Sequence, residues 1–307
     1  MMVAIHPSTD RDHTEIVAIG NGINPDWMAR SVEDFRAAIR SQPPAASAQS
    51  YVAEAGGKVV GHLWRNRLIY VPSPHVWYAD IQVPPGAQGQ GIGSRLYEFF
   101  LDRLTDHQAQ LVHAHVREDL PVARRFVRRR GFRETGHGDR PSRLEVRSAN
   151  TEPGRQAAER LEREGIRIST LEELSGDGEE VLHGIHELVN ETYADIPSSE
   201  EWTSIPFGEW QRLRTEAEER SDMVWVAVED GRVVGVGTLL QRQNTLPARD
   251  IPVWRERTAA GASPARSSTI KSPGRGDTVS PTSLRRTTWR IPPCCASTRI
   301  WATGRCR

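Results

Sequence analysis

The chain has 307 residues, too many for one ordinary domain and enough for two of about 150 each. Its 40 Lys and Arg balance 40 Asp and Glu, so no global field draws it to nucleic acid or to an acidic membrane surface. No apolar run approaches the roughly 18 residues of a membrane span, and MMVAIHPSTD lacks the apolar centre of a signal peptide. The expectation is a soluble cytoplasmic protein with neither a nucleic-acid nor a membrane partner.

In chain order, Val3 to His6 reads as a short strand, and helical spacing follows at Thr14 to Ile19 and Val32 to Ile39. SYVAEA and KVVGHLWRNRL flank Gly56-Gly57, a hairpin signal. A third strand, VWYADIQV from Val76 to Val83, stops at Pro84-Pro85, which cannot continue a ladder. After the glycine-spaced stretch VPPGAQGQGIGSRL, apolar residues at Ile92, Leu96, Phe99, Phe100 and Leu104 mark one helix face. Leu111 to Val116 reads as a strand and Pro121 to Arg130 as a helix stopped by Gly131, with Phe132 opening another strand.

That order puts the glycine loop between a strand end and a helix N-terminus, where backbone N–H groups and the helix dipole attract anions. Glycines 89, 91 and 93 let successive amides curl into a nest with no side chain in the way. A phosphate or pyrophosphate is the expected guest. A Walker A loop needs Gly-Lys-Ser/Thr, yet Ser94-Arg95 follows Gly93; the spacing also differs from the dinucleotide fingerprint G-x-G-x-x-G. What fits is Q-x-x-G-x-G, Gln88 to Gly93, after Val-Pro and before an amphipathic helix. This motif and element order resemble the GNAT superfamily of acetyl-coenzyme A-dependent N-acetyltransferases, over about residues 1 to 145.

The resemblance implies an α/β (α+β) fold, a central mixed sheet flanked by helices. It also implies acetyl-coenzyme A as co-substrate, no metal, and transfer of acetyl to a small-molecule amine or a protein amine by direct attack. Backbone amides of Gly89, Gln90, Gly91, Ile92 and Gly93 then hold the pyrophosphate with Gln88, Ser94 and Arg95 nearby, while Ile81 and Val83 lend backbone to the pantetheine arm. Many members carry a proton-donating tyrosine where this chain, in ARRFVRRRGF, has Val127. Asp80 and Glu118 are the candidate bases, with His113 and His115 as further possibilities and ordinary packing or solvation as the competing reading. The run Arg124, Arg125, Arg128, Arg129 and Arg130 reads as a solvated helix face, with an acidic partner or the 3′-phosphate as the alternative. A non-catalytic acyl-coenzyme A-binding or regulatory module is the second functional reading.

TEPGRQAAERLEREG is a charged helical connector, and IRISTLEEL reads as a new first strand. Helical spacing returns at Leu182, Ile185 and Val189; the His183 to Glu187 run, HGIHE, matches no zinc motif and is read as ordinary helix. WVAVEDGRVVG from Trp225 aligns without gaps on YVAEAGGKVVG from Tyr51, so the chain resembles a tandem protein of the same superfamily.

The repeat predicts a second glycine loop near residue 262, where the sequence reads RERTAAGASPARSS. From about Gln241 hydrophobic periodicity fades and Ser, Thr, Pro and Arg crowd in. One reading is a disordered basic tail, with nucleic-acid association as its weak corollary. The other is a frameshift: the chain's arginines so outnumber its two lysines, Lys58 and Lys271, that GC-rich codons are expected. Reading from the third base of such codons recovers R-G-R-G-I-A across residue 258 and a glycine across 301, repeating the separation of 43 between Gln88 and Gly131. Cys294, Cys295 and Cys306 fit neither a zinc spacing nor a disulfide framework. The expected organisation is a first domain over 1-148, a connector over 149-165, an incomplete second copy over 166-243, and a disordered or frameshifted tail over 244-307.

Overall fold

The computed structural model describes residues 2–139, 144–174, 176, 178–216, 220–242, 245–249, 253–254 and 286–291. β1 (Ala4–Pro7) leads into α1 (His13–Ile23) and α2 (Val32–Arg40), then β2 (Gln49–Ala55), β3 (Lys58–Arg67) and β4 (Val76–Gln82). α3 (Ile92–Leu104), β5 (Leu111–Arg117), α4 (Pro121–Arg128) and β6 (Arg133–Asp139) complete the first half. α5 (Glu152–Arg163) connects to β7 (Ile166–Thr170), α6 (Gly178–Tyr193), α7 (Phe207–Glu216), β8 (Val224–Glu229) and β9 (Arg232–Arg242). Three further strands follow: β10 (Thr245–Arg249), β11 (Val253–Trp254) and β12 (Arg286–Ile291).

β2 and β3 form a hairpin because Gly56 and Gly57 accept φ of 58° and 76°, the left-handed pair a two-residue turn requires. Asp230 and Gly231, at 48° and 77°, turn β8 into β9 in the same way. The likeness extends into the ladders. Ala53 pairs with Gly61 and the register shifts between Ala53 and Glu54. Ala227 pairs with Gly235 and the register shifts between Ala227 and Val228. The two hairpins therefore share register and bulge position.

The first sheet runs β1-β2-β3-β4-β5-β12-β6, and the pairing of β4 with β5 is its parallel one. One face carries Leu63, Trp77, Ala79, Val112 and Val116, buried against Ile92, Leu96 and Phe100 of α3. Gly61 makes that approach possible: a Cβ there would lie 3.0 Å from both Ile92 Cγ2 and Leu96 Cδ1. On the other face, Ile16 of α1 and Phe35 of α2 pack on Val52. Ser31 starts α2 with a reciprocal capping box to Asp34. In the second sheet, β10-β9-β8-β7, α6 packs on β9 closely enough that a Cβ at Gly184 would sit 2.8 Å from Val233 Cγ2.

Parts of the tail are described as strands, the rest lying outside the described residues. β10 and β11 both pair with β9, and β12 lies antiparallel between β5 and β6. The β9 edge of the second half is therefore paired. The position expected for a second glycine loop, near residue 262, lies outside the described residues.

Candidate functional site

β4 and β5 are the strands that open the site. Their ladder has three pairs, Val76 with Leu111, Trp77 with Val112 and Tyr78 with His113. Beyond them β4 continues to Gln82 and β5 to Arg117. Into this gap opens a cleft of about 1980 Å³, lined on β4 by Tyr78 to Gln82 and on β5 by Ala114 to Arg117. It continues past Val83 to the glycine loop and the first turn of α3.

Gly89 and Gly91 hold φ of 77° and 81°, and Gly91 is the N-cap of α3. Nothing lies within 4 Å of a Cβ built on either, so the backbone faces open space. The Arg95 amide bonds the Gly91 carbonyl, which leaves the amides of Ile92, Gly93 and Ser94 ahead of the first intrahelical bond. No side chain caps the helix, and its dipole points positive at the cleft. A cradle of exposed amides, left-handed glycines and empty volume fits an oxyanion ligand such as a pyrophosphate. Gly93 has a different use: a Cβ there would meet Phe126 Cε2 at 3.1 Å, so its lack of side chain lets α3 and α4 pack.

Of the other residues expected here, Ile81, Val83, Gln88 and Ser94 line the cleft with Gly89, Gly91, Ile92 and Gly93. Gln88 reaches back, its side-chain amide donating to the Val83 carbonyl at 2.9 Å, and so ties the loop to the end of β4. Gln90 does the same to the Gly86 carbonyl at 3.2 Å. Gln90 and Arg95 are not among the cleft's lining residues.

The arginine run divides. Arg124 and Arg128 pair with Glu134 at 3.5 and 2.9 Å. Arg125, Arg129 and Arg130 line the cleft. Arg130 is half-buried, which lowers its pKa from the usual guanidinium value. Val127 is buried and also lines the cleft, so a branched hydrocarbon stands where a proton donor was looked for. The nearest cleft-lining phenol on that side belongs to Tyr97 of α3, whose ring lies 6.3 Å from Phe126.

Alternation and register define the opposite wall. His62 and Trp64 stand opposite Gln82 and Asp80, and Tyr78 opposite His113, so these side chains share the face that α1 and α2 cover, along with His115. Asp80 lines the cleft and accepts from the Gln82 side chain at 2.7 Å. His115 is exposed on the cleft, edge-on to Tyr78 at 5.3 Å. Glu118 is exposed in the turn after β5 and is not among the lining residues. His113 is buried, with Nε2 3.2 Å from Glu200 Oε1.

His62 was missed by the sequence reading. It is 3 % exposed, lines the cleft, and its Nε2 meets Ser50 Oγ at 2.9 Å, which in turn accepts from Ser8 Oγ at 2.7 Å. Burial, helped by nearby His13, pushes its pKa down to about 4, so the ring is neutral near pH 7. Among the described residues no group of three or more His, Cys, Asp or Glu is placed to hold a metal, and no helix is long and apolar enough to cross a membrane.

Residues 12–132 match the Acetyltransferase (GNAT) family. Among solved structures, an N-acetyltransferase of Staphylococcus aureus Mu50 is similar at 17 % identity over 46 % of this chain and 88 % of its own, with a TM-score of 0.39. A ribosomal-protein-alanine N-acetyltransferase of Brucella melitensis is similar at 20 % identity over 43 % and 85 %, with a TM-score of 0.38. The yncA protein of Salmonella typhimurium, solved with its cofactor acetyl-CoA, is similar at 15 % identity over 47 % and 86 %, with a TM-score of 0.39. No curated protein matches the sequence.

Proposed function

With residues 12–132 a GNAT acetyltransferase domain, we propose that this chain moves an acetyl group from acetyl-coenzyme A to an amine by direct attack. The observation that carries the reading is the convergence of two features on one cleft: a parallel ladder that parts after Tyr78 and His113, and a glycine loop whose amides open on the same space.

Acetyl-coenzyme A supplies an activated thioester carbonyl. The amides from Gly89 to Ser94 bind its pyrophosphate, and Arg130, set beside Ser94, adds positive charge at that end. The backbone of β4 from Asp80 to Gln82, and of Val83 beyond it, orients the arm, with Ile81 lining its path. Asp80, held by Gln82, takes the proton of the attacking amine. Val127 has no proton to give, so the leaving sulfur must be protonated from elsewhere, and positioning provides most of the acceleration.

A second reading, a non-catalytic acyl-coenzyme A-binding module, is favoured by Val127, which has no proton to give, and by a second half read from sequence as incomplete. Calorimetric titration with acetyl-coenzyme A, followed by thiol release with a panel of amines, separates the two. Binding with turnover supports the transferase; binding without turnover supports the module; absence of binding overturns both.

A further inference from the structure

The second half reaches into the first domain through the segment after α6. Trp202 stacks on Tyr70 of the β3–β4 loop, centroids 5.1 Å apart and planes within 8°, and Tyr193 at the end of α6 backs it at 4.8 Å. The Thr203 amide donates to the Tyr70 carbonyl at 2.8 Å. Glu200 stands 3.2 Å from the imidazole of buried His113. A stack, a backbone hydrogen bond and a carboxylate–imidazole contact thus fix one short segment to the first domain. Just upstream of these anchors, Ile196 and Pro197 line the cleft.

The anchors also say which end of the cleft this is. His113 shares its sheet face with Tyr78, Asp80 and His115 and lies opposite the face that packs on α3. The segment therefore lies on the Asp80 side of the strands, away from the face that α3 covers. Ile16, Met28, Phe35 and Ile39 line the same cleft from α1, α2 and the turn between them, and Ile196 extends that apolar wall.

We propose that residues 196–203 form the acceptor-selecting wall of the first domain's cleft, with Ile196 and Pro197 admitting a small primary amine on an apolar body. The inference rests on the transferase reading above and adds to it the acceptor class and a role for the second half. Ile196 touches the acceptor, whereas Trp202 is a positioning residue that acts through the segment it anchors. An apolar wall, here half-buried at Ile196, favours a hydrocarbon substituent over a hydroxylated one, whose polar groups find no partners on it.

The full chain is assayed for thiol release with butylamine, benzylamine and phenethylamine against ethanolamine, glucosamine and an alanine-initiated tetrapeptide. Acetyl-coenzyme A binding is measured in parallel by calorimetry. The expected result is lower KM for the apolar amines. Trp202→Ala should raise those KM values by about tenfold, the worth of one aromatic stack, with acetyl-coenzyme A affinity and saturated kcat kept, and Trp202→Phe should restore most of the loss. Ile196→Trp, which alters none of the anchoring side chains, should exclude phenethylamine more than butylamine by a similar factor. If Trp202→Ala and Ile196→Trp leave amine KM values within twofold while acetyl-coenzyme A binds and turns over, the segment is not a selecting wall. A preference for glucosamine or the tetrapeptide overturns the acceptor class. Absence of acetyl-coenzyme A binding in the unaltered chain instead removes the transferase reading, and the inference with it.

Discussion

Arg130 Nη2 donates to Ser94 Oγ at 2.7 Å, across the gap between the end of α4 and the first turn of α3. Its guanidinium carbon lies 3.5 Å from the centre of the Phe126 ring, and Nη1 bonds the Phe126 carbonyl at 3.1 Å. A cation is thus locked by stacking and two hydrogen bonds beside the open amides of α3. Arg130→Ala should weaken acetyl-coenzyme A binding by about tenfold or more, on the scale of one charge-assisted hydrogen bond. Arg130→Lys should recover only part of that, because lysine keeps the charge and loses the planar stack. Calorimetry on the two variants tests both statements.

Gly91 sits at φ 81° as the N-cap of α3. Alanine has room there but not the conformation, at a cost of about 1–2 kcal/mol. Gly91→Ala should lower the melting temperature and weaken acetyl-coenzyme A binding together, since one strained residue sets both the helix start and the amide cradle. Gly86→Ala is the control: its Cβ would meet nothing within 4 Å and its φ is ordinary, so neither measurement should move.

Asp80 and Glu118 were equal candidates by residue type and are separated by position. Asp80→Asn should lower kcat by about a hundredfold or more, the usual reach of a general base, while acetyl-coenzyme A affinity holds. Glu118→Gln should leave kcat within twofold. Steady-state kinetics with saturating acetyl-coenzyme A decides, and a large loss in Glu118→Gln would move the base to the turn after β5.

His62 makes stability depend on pH in a defined direction. Its folded pKa of about 4 lies below the unfolded value near 6.5, so between them the unfolded chain binds more protons and stability rises with pH. The contribution is complete above about 6.5 and declines as pH falls toward 4, by a total on the order of 3 kcal/mol. His62→Gln should flatten that limb of the stability curve. Denaturant unfolding of both chains at pH 4.5 and 7.5 reads the difference, and parallel curves would sink the assignment.

The legible parts of this fold are those whose signals are local. Two left-handed residues at each hairpin turn, the apolar stripe of α3 and the glycines ahead of it lie within a few residues of the structure they produce. His62 gave no such signal. A single histidine in an alternating strand looks like ordinary packing, and its place in the cleft follows from its register opposite Gln82 and its contact with Ser50, twelve residues away. The arginine run likewise looks uniform as sequence; Glu134 sorts it by pairing with Arg124 and Arg128 and leaving Arg130 to Ser94. PSSEEWT has no period at all, because its residues are held by partners in the other half. β12 was invisible for the related reason that its ladder partners, β5 and β6, are remote in sequence. No local pattern announces a strand whose neighbours lie so far up the chain.

The parting of β4 from β5 places an edge in the middle of a sheet. Ordinary edges lie at the margin, where any passing strand can dock and aggregation must be resisted. This one is walled by α1, α3 and α4 and by the segment around Ile196. Its β4 backbone from Asp80 to Gln82, with Val83 beyond it, lines the cleft. A narrow guest with amides of its own, as the pantetheine arm has, would extend the three-pair ladder beyond Tyr78 and His113, and the protein would gain rigidity from it. Amide hydrogen exchange along residues 80–83 should slow on adding acetyl-coenzyme A by more than pyrophosphate alone achieves.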